Sequence, residues 1–421
     1  MPARERKRIW TTVEDSDDDA AISFKLPRAA VIAAYAADHI FDAASDSADS
    51  IAAHYATHGF VVVRALTAEE CTANIKAQVG GVLLNQPWQQ TLVVRDAATA
   101  LDFQRDSDRY VKELTRSNLD KATLAHYESV WPFHSGFGAC CDPTAFHLPE
   151  MWRVREKPEL YNIARHLMGG RSDLWVDINR CIQKLPGKGE EEFLHWDLDF
   201  LHRAHAPDNG VSGKVMFTDG VFICVPCTAT AAFQAEFKRL YQPLYPNAKA
   251  GDAKFALDKS KPDPLGLAAK KVAVKVPAGC AIFWSEWLLH GVQKNPRTGH
   301  IQFGMYLGYF PAGARKEYER KAKVDELADR LESFRRGIAP KLWPSFDKIH
   351  YYPARYVNFD RMLAPYIAKT RRGYPGLTTR TIKSGARKGD VVADIVPVAD
   401  PSYMPPRLSA LGERLFGSVD W

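Results

Sequence analysis

Two histidines and an aspartate set the strongest constraint on how this chain can fold. His195-Trp196-Asp197 places an imidazole and a carboxylate two residues apart, and His290 closes the run Ala-Ile-Phe-Trp-Ser-Glu-Trp-Leu-Leu-His that begins at Ala281. Alternate side chains of a strand share a face, so His195 and Asp197 can grip one ion while Trp196 points away. A fold that brings His290 to the same place puts two nitrogens and one oxygen on one face of an octahedral iron, leaving positions for a bidentate cosubstrate and dioxygen. Zinc accepts such ligands too, but it favours four-coordination and has no redox chemistry. His-x-Asp alone is a weak pattern, because thirteen histidines are available to complete it.

The surrounding pattern is that of buried strands. Residues 271–276 alternate in polarity, Pro277-Ala278-Gly279 reads as a tight turn, and the apolar run 280–284 follows, which predicts a hairpin with its second strand buried. Residues 215–218 read as a neighbouring core strand. Alternation over residues 175–183 sets Asp177, Asn179, Cys181 and Gln183 opposite Val176, Ile178, Arg180 and Ile182. The polar set is expected on the pocket face, with Asn179 and Gln183 as hydrogen-bonding candidates; an edge strand with one wet face is the alternative. Trp196, Asp199 and Trp284 flank the ligands as candidates for the substrate pocket or, for Asp199, for orienting a ligand.

Several segments resemble the phytanoyl-CoA dioxygenase-like branch of the iron(II)/2-oxoglutarate oxygenases. These are residues 54–71, Lys184-Leu-Pro-Gly187 ahead of His195, Phe222-Ile-Cys-Val-Pro226, Pro277-Ala-Gly279, and His290-Gly-x-x-x-Asn295. The similarity runs from about residue 54 to 310 with large insertions. It implies a mainly β fold with flanking helices, a double-stranded β-helix of the jelly-roll, cupin-like kind. It also implies Fe(II) on His195, Asp197 and His290, with 2-oxoglutarate and O2, and hydroxylation of a C–H bond or a related oxidation. A carboxylate at Asp197 argues against the halogenase variant.

The family's basic residue for the distal carboxylate falls where this chain has His300-Ile301. Alternation places His300, Gln302, Gly304 and Tyr306 on one face and Ile301, Phe303, Met305 and Leu307 on the other. Arg297 can reach back as a bidentate fork, or His300 and Gln302 hold a less acidic cosubstrate. Ascorbate is the alternative cosubstrate, and Tyr306 is a further pocket candidate.

Composition bounds the remainder. At 421 residues and 46% hydrophobic, the chain has ample core for one large domain with additions. It lacks a membrane span and a signal-peptide core, so a soluble, intracellular protein of cytoplasm or nucleus is expected. The seven cysteines, an odd number, give no disulfide framework, and Cys224-Val-Pro-Cys227 lacks two further ligands for a zinc site.

Residues 1–22 read as a mobile tail, and 23–310 as the oxygenase domain with helices at 27–41 and 48–58. Another mixed helical region lies within 101–127, and the segment from Trp131 to Cys141 reads as a loop near the entrance. Within the domain, 229–241 reads as a helix and 243–269 as a polar insertion able to cover the site. Residues 311–421 form an extension with a charged helix over 316–336 and an aromatic stretch over 343–366. Its segment 369–388 holds seven basic residues, Lys369, Arg371, Arg372, Arg380, Lys383, Arg387 and Lys388, with Tyr374 among them. A small-molecule substrate is expected; the alternative is a nucleic-acid base-modifying oxygenase of the methylcytosine type, using this segment on phosphates and bases. A solvated basic tail is favoured, because a net charge of +6 leaves no strong global field. A non-catalytic cupin-like binding protein and a zinc hydrolase remain open, and oligomeric state is not encoded legibly.

Overall fold

A computed structural model describes residues 40–84, 105–124, 139–140, 146–187, 194–250, 255–291, 295, 299–313, 325–337, 340, 377–381, 391–395 and 404–421. The chain enters on strand β1 (Ile40–Asp42), helix α1 (Ala48–His58), strand β2 (Phe60–Arg64) and helix α2 (Ala68–Leu84). The helix expected over 27–41 ends instead in β1, which pairs parallel with β2; the rest of that segment lies outside the described residues. Helix α1 starts where the Ser47 side chain accepts from the Ser50 amide and stops at Gly59, whose φ of 80° only glycine adopts without strain.

Helix α3 (Ser107–Leu114), strand β3 (Ala139–Cys140), and helices α4 (Pro149–Arg155) and α5 (Pro158–Leu167) follow. Then come β4 (Leu174–Val176), β5 (Cys181–Lys184), β6 (Leu194–Trp196), β7 (Val211–Met216), β8 (Gly220–Cys224) and helix α6 (Ala231–Tyr241). After β9 (Phe255–Ala256) and α7 (Leu267–Lys270), the chain runs through β10 (Val272–Val276), β11 (Cys280–Ser285), β12 (His290–Gly291) and β13 (Gln302–Pro311). Helix α8 (Glu326–Arg336), the strand pair β14 (Leu377–Thr381) and β15 (Val391–Ile395), and helix α9 (Ala410–Phe416) complete it.

Two sheets face each other, antiparallel apart from the β1–β2 pair. The larger runs β1-β2-β11-β7-β13-β5-β3, with β4 also on β13; the smaller runs β10-β8-β12-β6-β9. Strand periodicity divides β2, β5, β7, β11 and β13 of the larger sheet between two cores. Cys280, Ile282 and Trp284 of β11 point between the sheets, against Phe222 and Val274, while Ala281 and Phe283 pack beneath the helices. A third core lies outside the smaller sheet, where Phe233, Phe237 and Tyr241 of α6 cover Trp196 and Leu289.

The expected hairpin of β10 and β11 is instead a crossover between sheets. β10 pairs with β8, and β11 pairs with β2 and β7. A strand apolar on both faces, as β11 is, needs strands on both edges and cover on both sides, which a two-stranded hairpin does not give. The turn holds because the Gly279 carbonyl accepts from Ala65 and Leu66 amides, both at 3.0 Å. A Cβ on Gly279 would meet the Leu66 oxygen at 2.6 Å.

The strand read as continuous over 175–183 is broken. Residues 177–180 oppose only 306–308 of β13, a β-bulge bracketed by the bonds Asp177 N to Gly308 O and Tyr306 N to Arg180 O. The extra residue reverses the facing beyond it: Cys181 joins the core beneath the helices and Ile182 turns between the sheets.

The polar insertion is partly ordered into the fold. Its β9 pairs with β6, and the Tyr241 hydroxyl donates to Asp263 and accepts from the Leu265 amide. At the C-terminus, the buried Arg330 guanidinium donates to carbonyls of Val176, Leu415 and Phe416, tying α8 and α9 to the larger sheet. Among the described residues no helix is long and apolar enough to cross a membrane.

Candidate metal centre

Antiparallel pairing of β6 with β12 sets His195 directly opposite His290, with ring centroids 4.4 Å apart. Asp197 follows one step past the end of β6, on His195's side of the strand. Its Oδ1 lies 3.4 Å from His195 Nε2 and its Oδ2 lies 3.4 Å from His290 Nε2. One donor atom from each of the three residues falls within 4.8 Å of the others, making a two-histidine, one-carboxylate facial triad. Both histidines are buried, while the Asp197 side chain is 53% exposed and marks the open side.

The triad fits a divalent ion. His290 Nδ1 lies 2.9 Å from the Leu288 carbonyl, which can only accept, so Nδ1 carries the hydrogen. In a neutral ring this turns the Nε2 lone pair toward the Asp197 carboxylate, so a positive centre, either a metal ion or a second ring proton, has to lie between them. Desolvation works to raise the Asp197 carboxyl, but hydrogen bonds and charge from the two imidazoles, when protonated in place of a bound ion, outweigh it and hold it well below the usual carboxylate range.

The two-residue strand β12 is positioned by its approach. Ser285 Oγ accepts from the Trp287 amide and donates to Asp208, which also accepts from the Tyr55 hydroxyl. Thr228 Oγ1 accepts from the Leu289 amide, and the Leu289 carbonyl accepts from Val225. Arg203 makes a fork on Glu286. Asn295 Nδ2 donates to the carbonyls of Lys184 and His300, joining the end of β5 to the approach of β13.

The candidate residues separate by position. Trp284 lies between the sheets, 5.5 Å from the His290 ring and 4.8 Å from Phe222. Gln302 and Tyr306 lie on the sheet face opposite Phe303, Met305 and Leu307, which pack beneath the helices. His300 is at the rim, with Nε2 2.8 Å from the Asp219 carbonyl.

Trp196 lies behind the ligand strand rather than in the space between the sheets: it is fully buried under α6, stacked on Phe200 at 3.9 Å, and its indole donates to the Trp287 carbonyl. Strand alternation turns it away from a pocket that its neighbours line. Asp199 accepts from the His202 amide and lies 2.8 Å from the His202 ring, so its carboxylate serves the local turn. Asn179 is likewise taken up by the bulge, donating to Asp177 and accepting from the Arg180 amide. Gln183 pairs with Phe303 on the face beneath the helices.

Arg297, Lys369, Arg371, Arg372, Tyr374, Lys383, Arg387 and Lys388 lie outside the described residues, as do most of residues 131–141 and the aromatic stretch 343–366; Arg380 falls in β14, paired with Val392. Cys227 is held up at about 11 by burial, and Cys224 is raised well above the usual thiol range. Both are thiols at neutral pH, which disfavours thiolate ligation.

The sequence reading passed over two lysines. Lys214 and Lys184 both point between the sheets, Lys214 opposite Tyr306 and Lys184 opposite Gln302. The signal was present: Ser212, Lys214 and Met216 share a face by period two, so a lysine in β7 had to enter one core or the other.

A scan against protein-family models and a search of curated proteins find no match. Among solved structures, the chain is similar to the non-heme alpha ketoglutarate dependent carbocyclase SnoK from nogalamycin biosynthesis, at 18% identity over 64% of this chain and 86% of that one, TM-score 0.35. It is similar to EctD from S. alaskensis at 16% identity over 63% and 77%, TM-score 0.36. It is also similar to AviO1 from Streptomyces viridochromogenes Tue57 at 15% identity over 63% and 96%, TM-score 0.34. Likeness of this degree says nothing about reaction or substrate, which have to be read from the chain's own residues.

Proposed function

We propose that the protein is a non-haem iron(II)- and 2-oxoglutarate-dependent dioxygenase that hydroxylates a C–H bond of a small molecule. The observation that carries this reading is the convergence of His195, Asp197 and His290 from two paired strands onto one point. The two sheets are then the walls of a double-stranded β-helix, β11-β7-β13-β5 facing β10-β8-β12-β6. When bound, iron(II) with 2-oxoglutarate supplies oxygen activation coupled to decarboxylation, giving succinate, carbon dioxide and a hydroxylated product.

The chain's own residues do the positioning. His195 and His290 present nitrogen donors from a rigid ladder, and the Leu288 carbonyl fixes the His290 tautomer. Phe222 and Trp284 pack against His290 on the side that faces between the sheets. Exposed Asp197 leaves the other side open, where a substrate C–H would be presented.

Anaerobic loading with iron(II), followed by titration with 2-oxoglutarate and separately with ascorbate, tests the assignment. A saturable visible charge-transfer band is expected with 2-oxoglutarate, and Asp197→Ala should lose both iron and band. Iron retained stoichiometrically by Asp197→Ala, or zinc in its place in the wild type, would refute it.

A further inference from the structure

The wall opposite the metal ligands carries positive charge, Lys184 buried and Lys214 half-buried. Lys214 of β7 lies between its cross-strand partners Ile282 of β11 and Tyr306 of β13. Its ammonium spans the gap to donate to the Val221 carbonyl of β8 at 2.8 Å, and it stands 5.4 Å from the centre of the Phe222 ring. Phe222 stacks on His290 at 5.8 Å, so one aromatic ring separates the ammonium from a metal-ligating imidazole.

Burial, and secondarily the charge of Lys184, lowers Lys214 to about 7; burial alone lowers Lys184 to about 8. An ammonium held in such surroundings is costly unless an anion joins it. A separate observation points the same way. Trp284 is only 6% exposed, and its indole N–H has no hydrogen-bond partner among the described residues. A buried donor left unmade is costly, and a ligand oxygen would satisfy it. Lys214, Gln302 and Tyr306 keep partial solvent access although they face between the sheets, so the space is an open cleft.

We propose that Lys214, with Lys184 and the Trp284 N–H, forms the seat for the far carboxylate of a short dicarboxylate whose other end reaches the metal. The proposal rests on the oxygenase reading and deepens it, moving the basic anchor from the start of β13 to the middle of β7. An ammonium offers three donors and a compact charge, which suits a carboxylate arriving end-on. His300, tied to the rim carbonyl of Asp219, has no such position.

The experiment titrates succinate into metal-free protein by tryptophan fluorescence, and 2-oxoglutarate into anaerobic iron(II)-loaded protein by the visible band. It compares wild type, Lys214→Met, Lys214→Arg and Trp284→Phe, with near-ultraviolet circular dichroism and iron content as controls. Lys214→Met should weaken succinate binding at least ~30-fold and Lys214→Arg should recover much of it. Trp284→Phe should cost about 3- to 10-fold and stands in should Lys214→Met fail to fold. Succinate binding equal in wild type and Lys214→Met, or absent from the wild type, overturns the seat. A 2-oxoglutarate band that survives Lys214→Met sinks the seat and leaves the oxygenase reading intact. No band in wild type, together with Lys214-dependent succinate binding, keeps the seat and removes the oxygenase reading.

Discussion

Lys214→Met should make the protein more stable while emptying its anion site. The lysine is lowered from 10.5 to about 7, which at ~1.4 kcal/mol for each pH unit sets an upper limit of ~5 kcal/mol on the cost of holding it charged in both states, and its partial solvent access screens roughly half of that. Methionine of similar length removes that cost but leaves the Val221 carbonyl without its donor, a loss of about 1–2 kcal/mol. The balance is about 1 kcal/mol in favour of the variant, which for a chain of 421 residues raises Tm by ~1 °C.

The sign of the pH dependence follows from a lowered lysine. Below about 7 both folded and unfolded chains carry the charge, and the penalty is complete. Between there and the unfolded value of 10.5 the unfolded chain binds the extra proton, wild-type stability climbs with pH, and the advantage of Lys214→Met shrinks toward nothing. Lys184 on β5 and Tyr306 on β13 face the same space, Arg180 stands 5.0 Å over the Tyr306 ring, and the Val221 carbonyl of β8 accepts from this ammonium; the Lys184 charge pushes in the same direction as burial. Denaturant unfolding of metal-free protein at pH 6.5 and at pH 9.5 measures both quantities. A variant no more stable than wild type at pH 6.5, or one whose advantage stays flat across the range, would show that the ammonium is solvated. Added succinate should then stabilise wild type but not the variant.

Trp196→Ala should destabilise by about 3–5 kcal/mol and broaden iron binding, because it empties the centre of the core behind the ligand strand; an unchanged denaturation midpoint would contradict the packing. Cys227, held up at about 11, should react with iodoacetamide at pH 7.5 far more slowly than a free thiol, with on the order of one molecule in a few thousand as thiolate. Rapid modification of Cys227, followed by peptide mass mapping, would show a different environment.

The metal ligands were legible because strand alternation is local: His195, Trp196 and Asp197 need only period two to divide between an ion and a core. Helix α1 was legible for the same reason, its ends written in Ser47 and Gly59. Residues 177–180 were not, since a bulge is specified by the count of residues on the opposing strand, which lies more than a hundred positions away. The pairing of β10 and β11 was misread because proximity in sequence suggests a hairpin, while burial on both faces of β11 demands two other neighbours. Lys214 escaped notice because nothing local distinguishes a lysine facing a cleft from one facing water. Its surroundings are supplied by β8 and β11, not by β7.

The pairing of β9 with β6 has a consequence for how this chain can change. His195 has Ala256 on one side and His290 on the other, so the insertion contributes a ladder partner to the ligand strand itself. A surface segment that serves only as a cover can be lengthened, shortened or exchanged without disturbing what lies beneath. This one is joined to the ligand strand by backbone pairing, and substitutions made in it should be felt at His195 as changes in metal affinity. Swapping the segment between related chains should therefore change metal retention as well as the surface it presents.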